Sequence, residues 1–154
     1  MGAQVKNPRK KFLFRIRFPK HPINDYLAQK VTLPDIEIDQ VEHADINRDV
    51  KTAGRVKIGN MKVEKLMTTS GPNTWLHDWI YSCQDHILGG GLTPSQYWED
   101  AIVEELAEDG QTVIDTHLVG EIWPCKVSGI ELDRTASENT IEEIEFSVGW
   151  MDRY

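Results

Sequence analysis

Between Glu143 and Trp150 apolar and polar residues change places at almost every step, with Ile144, Phe146, Val148 and Trp150 on one parity and Glu143, Glu145 and Ser147 on the other. A period of two buries one face of a strand but would scatter the same residues around a helix. The chain must therefore supply a second apolar layer to cover that face.

Further runs of the same kind lie upstream. Phe12, Phe14, Ile16 and Phe18 alternate with Leu13, Arg15 and Arg17, which predicts a first strand ended by Pro19 and Pro22. Residues 30–39 carry Val31, Leu33, Ile36 and Ile38 around Pro34, which cannot donate a ladder bond, so a bend or a sheet edge is expected there. From Val41 to Ile58 the pattern is polar and weak, with Ala53-Gly54 as its clear turn, and residues 40–58 are expected to form an extended, poorly buried hairpin arm. As sequence alone, that arm reads equally as a mobile loop or as a docking element. Met61 to Thr69 predicts another strand, which Ser70-Gly71-Pro72-Asn73 breaks while offering a cap to the next element.

One helix is expected, over residues 73–88. Leu76, Ile80, Cys83 and Ile87 follow at helical spacing beside Trp75 and Trp79, and Gly89-Gly90-Gly91 provides the stop. Downstream, Ala101–Leu106 and Thr112–Val119 flank the hairpin signal Asp109-Gly110, and a break at Trp123-Pro124 leads to a strand over Lys126–Asp133. Many strands around one helix predict a mainly β chain, an antiparallel β-sandwich or partial barrel with one flanking helix, as a single domain over residues 1–154. The absence of alternating β and α patterns speaks against a doubly wound nucleotide fold.

Composition narrows the function classes. No apolar run approaches the roughly 20 residues a membrane helix needs, and Met1 to Lys11 lacks the apolar stretch of a secretory signal, so the chain is expected to be made and kept in a cytoplasm without binding membrane. Cys83 and Cys125 share no metal-binding or redox spacing and read as packed thiols. The formal charge of −8 is uneven: Lys6, Arg9, Lys10, Lys11, Arg15, Arg17 and Lys20 crowd the start, making residues 1–11 a basic leader before an acidic body. That leader is read either as a disordered solubilising tail or as a segment that meets the acidic groups of a neighbouring subunit or of another protein around it. An acidic body disfavours nonspecific nucleic-acid binding, because phosphates attract lysine and arginine.

Catalysis and cofactor binding find no foothold. His77 and His86 stand nine positions apart on the helix, off the one-turn spacing that places two ligands on one face, and His21, His43 and His117 share no spacing, so no metal is expected. The triple glycine trails a helix and lacks the lysine that follows a phosphate loop. Consecutive carboxylates such as Glu104-Glu105 and Glu142-Glu143 point to opposite strand faces and cannot share a proton. The chain is expected to be no enzyme and to need no cofactor.

From the helix onward, the order of features resembles the tail tube family of contractile-tailed bacteriophages. The pieces are Trp75 with the Asp78-Trp79 pair, the Gly90–Tyr97 exit with Thr93-Pro94, the strand entered at Ala101-Ile102-Val103, the Gly120-Glu121-Ile122-Trp123-Pro124 corner, Ile130–Asp133, and the close at Trp150–Tyr154. The resemblance implies a β-sandwich with a helix and a long hairpin, forming hexameric rings whose strands join in one continuous inner β-barrel. The rings would stack into a tube in the virion tail, assembled in the host cytoplasm. Its partners would be other copies, a sheath outside, a tape measure protein and DNA in the lumen, and a baseplate and tail terminator at the ends. Structural roles would fall on Trp75, Asp78, Trp79, Gly120, Trp123, Pro124 and Trp150. On that reading Glu64, Asp115, Glu143 and Glu145 are expected to face the lumen, because their apolar neighbours pack inward, and acidic walls would let DNA slide by repulsion. Two other readings stand beside it: the tube of an injection or secretion device, and a monomeric β-sandwich binding module.

Overall fold

The computed structural model describes residues 8–20, 28–66 and 75–153. The alternation near the C-terminus does what a period of two requires: in β8 (Ile141–Ser147), Ile144 and Phe146 are buried while Glu143 is exposed. β8 lies inside a path of antiparallel neighbours running β1 (Phe14–Arg17), β6 (Glu99–Leu106), β7 (Val113–Val127), β8, β5 (Met61–Leu66) and β2 (Ala28–Thr32). A short β9 (Trp150–Arg153) pairs with β7 as well. The mainly β, antiparallel architecture expected from the sequence is the one the chain adopts.

β7 turns this path into two layers. Its 15 residues pair first with β6 and β9 and then, past the Gly120-Glu121 corner, with β8. Ile16, Val103 and Val119 from one half meet Val63, Ile144 and Phe146 from the other in a shared core. Burying each such side chain contributes about 1.5–3 kcal/mol. The helix α1 (Trp75–Cys83) adds Leu76 and Trp79, with the Trp79 ring centroid 5.6 Å from that of Phe146. Trp79 Nε1 donates to the Tyr97 carbonyl at 2.8 Å, which ties α2 (Pro94–Tyr97) to α1.

Among the described residues β3 (Ile36–Ala44) and β4 (Asp49–Ile58) pair only with each other and form a separate two-stranded hairpin. Ile36, Ile38 and Val56 on it are each more than half exposed. Its reversal lies at Asp45–Arg48, where Asp45 N–H donates to the Arg48 carbonyl at 3.0 Å and the Asp45 side chain accepts from Ile46 N–H. Ala53-Gly54 is not the turn. It sits within β4, where Gly54 admits the Asp39 carbonyl so closely that a Cβ would lie 2.9 Å from it.

Four other expectations give way to tertiary context. The helix ends at Cys83 instead of running to residue 88, because the Asp85 carboxylate accepts from the N–H groups of Ile87 and Leu88 and starts a separate turn, leaving Ile87 and Leu88 exposed. Residues 73 and 74, with the expected cap, lie outside the described residues, as does the 67–69 end of the strand expected from Met61. β7 does not break at Trp123-Pro124, since a bulge between Pro124 and Lys126 accommodates the missing N–H. Lys126–Asp133 is no continuous strand: the ladder closes where Ser128 N–H donates to Glu143 and the Ser128 hydroxyl accepts from Glu143 N–H, and Leu132 is exposed. The final strand is two, because β8 and β9 are separated at Val148-Gly149. There Gly149 N–H donates to Gly120, and Glu121, in the left-handed region at φ 52°, fills the space a Cβ on Gly149 would need. No helix among the described residues is long and apolar enough to cross a membrane.

Candidate functional site

The outward face of the β2, β5, β8 and C-terminal β7 half is an ordered polar surface that the strand register builds. Val31, Val63 and Ile144 point into the core, so their alternates point away from it. Register places Lys30 opposite Glu64 and Glu64 opposite Glu143 in one row, and Thr32, Lys62, Glu145 and Lys126 opposite one another in the next. Lys62, Lys126, Ser128, Glu143 and Glu145 enclose a shallow recess on this face. Glu145 accepts from the Asn60 amide at 2.9 Å. Three of the four carboxylates singled out in the sequence, Glu64, Glu143 and Glu145, thus share one surface. The three lysines among them were missed, although Lys62 lies two residues from Glu64 and therefore on the same side of its strand.

Asp115 does not join them. It faces the interior of the other half, where Arg153 Nε donates to it at 2.8 Å and Arg9 at 3.1 Å. The Arg153 hydrogen bond, helped by Arg9 and opposed by burial, holds its pKa well below the usual carboxylate range. Glu105 and His117 stand beside it, and the three side chains offer donor atoms within 4.8 Å of one another. Two guanidinium groups already fill the space an ion would take, since Arg9 also donates to Glu105 at 2.7 Å. The cluster pins a residue near each end of the chain to one buried acid. On the opposite face of β6, Glu104 is buried; burial resists its ionisation, but Arg15 and Arg17 of β1 outweigh it and lower its pKa.

The remaining motif residues support packing. Trp75 is half-buried against Phe18, with ring centroids 5.5 Å apart, and Trp79 is buried, whereas Asp78 is exposed on the solvent side of α1. Gly120 lies under the Trp150 indole, where a Cβ would come within 2.1 Å of the ring. Trp123 meets the Tyr97 ring edge-on at 6.1 Å, and Pro124 is buried. Cys125 is exposed at the β7 bulge and Cys83 half-buried, both as free thiols whose pKa burial raises.

Among the described residues the sheet also has open edges. Its path ends at β1 and β2, which do not pair with each other, and Phe12, Phe14, Val31 and Leu33 line the cleft between them. Beyond Ile122, β7 has β8 on one side and no described strand on the other.

The T4-like virus tail tube protein gp19 family matches the chain over residues 10–151. No curated protein matches it significantly. Among solved structures, the tube terminating cap of the anti-feeding prophage superposes with TM-score 0.80 at 17% identity, covering 100% of this chain and 95% of that one. The sheath-tube complex of an extracellular contractile injection system, PVC, gives 0.78 at 18% identity over 97% and 93% of the two chains. Hcp1 from Flavobacterium johnsoniae gives 0.58 at 14% identity over 92% and 94%. At these identities the likeness is one of fold.

Proposed function

The chain belongs to the T4-like virus tail tube protein family, a family of structural proteins, and from that premise we propose that it closes with copies of itself into hexameric rings that stack into the inner tube of a contractile tail. The observation that carries this reading is the four-stranded run β7–β8–β5–β2, whose two ends have no further strand beside them among the described residues. Neighbours in the run are antiparallel, so its two edge strands point in opposite directions. The free edge of β2 in one copy therefore meets β7 of the next in antiparallel sense, and every junction around a ring has the same hydrogen-bonding sense. A closed ring of such runs holds roughly two dozen strands, wider than the 16 to 18 that already leave an aqueous channel. Closure also removes exposed edges that invite uncontrolled pairing.

In this arrangement the face of Glu64, Glu143 and Glu145 lines the bore through which DNA leaves and in which a tape measure protein sits during assembly. The sheath surrounds the opposite side, and a baseplate and a terminator close the stack. The β3–β4 hairpin, exposed and, among the described residues, paired only with itself, docks on a neighbouring subunit or ring. The role is mechanical and involves no catalysis. A tube of an injection device is the second reading, favoured by the fold likeness to the prophage and injection-system structures.

Edge pairing is testable with cysteines. Cys125 lies on β7, and Lys30→Cys or Thr32→Cys places a partner on β2, in a Cys83→Ser background. Oxidation of concentrated or baseplate-nucleated material should give a ladder of covalent oligomers ending at the hexamer, with hollow rings in negative stain. Rings without crosslinks would reassign the edges; compact single particles under every condition would refute the tube reading.

A further inference from the structure

The face assigned to the bore carries Lys30, Lys62 and Lys126 against Glu64, Glu143 and Glu145, three of each sign, in a chain whose formal charge is −8. One row sums to a single negative charge (Lys30, Glu64, Glu143) and the next to a single positive one (Lys62, Glu145, Lys126). Rows two residues apart along a strand are separated by about 7 Å, and strands by about 4.8 Å. Opposite charges at such spacings cancel within a comparable distance from the wall, inside the Debye length of about 8 Å at physiological salt. The excess acidity of the chain lies away from this surface.

Resting on the reading of this face as the channel wall, we infer that the wall is charge-compensated, so that it neither repels nor retains a DNA duplex. Sliding then follows from cancellation within the wall, not from an acidic lining. A lysine-only surface would hold phosphates by releasing their counterions, and an acid-only surface would hold basic segments of any protein in the bore. Glu143 and Glu145 keep Lys62 and Lys126 from acting as phosphate sites, and the lysines do the reciprocal service for the glutamates.

Tubes of the full chain, assembled with a fluorescent 20-base-pair duplex or with fluorescent oligolysine and then washed at low salt, provide the test. Native tubes should retain neither probe. Glu143→Gln with Glu145→Gln should raise duplex retention at least tenfold, an effect that high salt abolishes, and Lys62→Gln with Lys126→Gln should do the same for oligolysine. The single changes Glu145→Gln and Lys126→Gln carry the comparison where a double variant does not assemble. Native tubes that hold the duplex as well as the glutamine variant, or a glutamine variant that gains nothing, would overturn the inference. Helical reconstruction of the same tubes separates the two ways of failing: if another face lines the bore, or no tubes form, the channel reading falls and this inference with it, whereas a correctly placed face that holds DNA defeats compensation alone.

Discussion

Lys65 and Glu142 face each other across the β5–β8 ladder, both turned into the core, with 3% and 1% of their surface exposed. Neither Glu142 carboxylate oxygen has a hydrogen-bond partner among the described residues, and the Lys65 ammonium lies 4.9 Å from the centre of the Trp75 ring. Burial drives the Lys65 pKa from 10.5 down to about 8, with Glu142 opposing the fall. Lys65→Met leaves a buried carboxylate without its counter-charge and should cost about 3–5 kcal/mol. Glu142→Leu should cost less at neutral pH, because a lysine that titrates near 8 can release its proton for about 1.4 kcal/mol or less at pH 7. The double variant Lys65→Met/Glu142→Leu should return to within about 1 kcal/mol of the native protein or exceed it.

The pH dependence has a fixed sign. Below the folded pKa of about 8 Lys65 is protonated in both states, and between there and 10.5 the unfolded chain holds the proton longer, so stability rises with pH through that window. The full rise attributable to this lysine is about 3 kcal/mol. Urea unfolding of the native and Lys65→Met proteins at pH 7, 8.5 and 10 reads it as the difference between two profiles, since the remaining lysines and tyrosines titrate in both. Parallel profiles, together with a cost for Lys65→Met under about 1 kcal/mol, would falsify the view that this pair is buried and coupled.

Three other perturbations bear on packing and assembly. Gly120→Ala forces a Cβ to within 2.1 Å of the Trp150 ring and should destabilise by about 1–3 kcal/mol, seen as a lower Tm and altered tryptophan emission. Asp115→Asn weakens the charge-assisted bonds from Arg153 and Arg9; amide exchange in β9 should speed up relative to β8, and an unchanged rate would mean that the cluster does not hold the C-terminal strand. Because the lowered Asp115 pKa gives stability that is present above the ordinary carboxylate range and lost as pH falls through the folded value, the variant should lose less stability on acidification than the native protein. Replacing Glu37–Lys57 by a short glycine-serine link should leave the unfolding midpoint of the subunit nearly unchanged, since among the described residues β3 and β4 pair only with each other, while abolishing tubes in negative stain.

What the sequence determined by itself was local. Period two in β8 decided which residues face the core and which carboxylates share a surface, Asp109-Gly110 placed the β6–β7 reversal, where Gly110 adopts φ 73°, and Trp75, Leu76 and Trp79 marked the helix and its buried side. Only the tertiary structure decided the rest. Pro124 stays in its strand because a bulge there relieves the ladder, the helix stops where Asp85 captures two N–H groups, and Asp115 leaves the polar surface because it is buried on the core side of β7 under the part-exposed Arg9 and Arg153. The same division holds for the face of Glu64, Glu143 and Glu145: parity along each strand puts a charge outward, but which charge becomes its neighbour depends on strand order and register. Those are fixed by burying Ile144, Phe146, Val63 and Ile16 together, a condition on distant residues that no window of sequence contains.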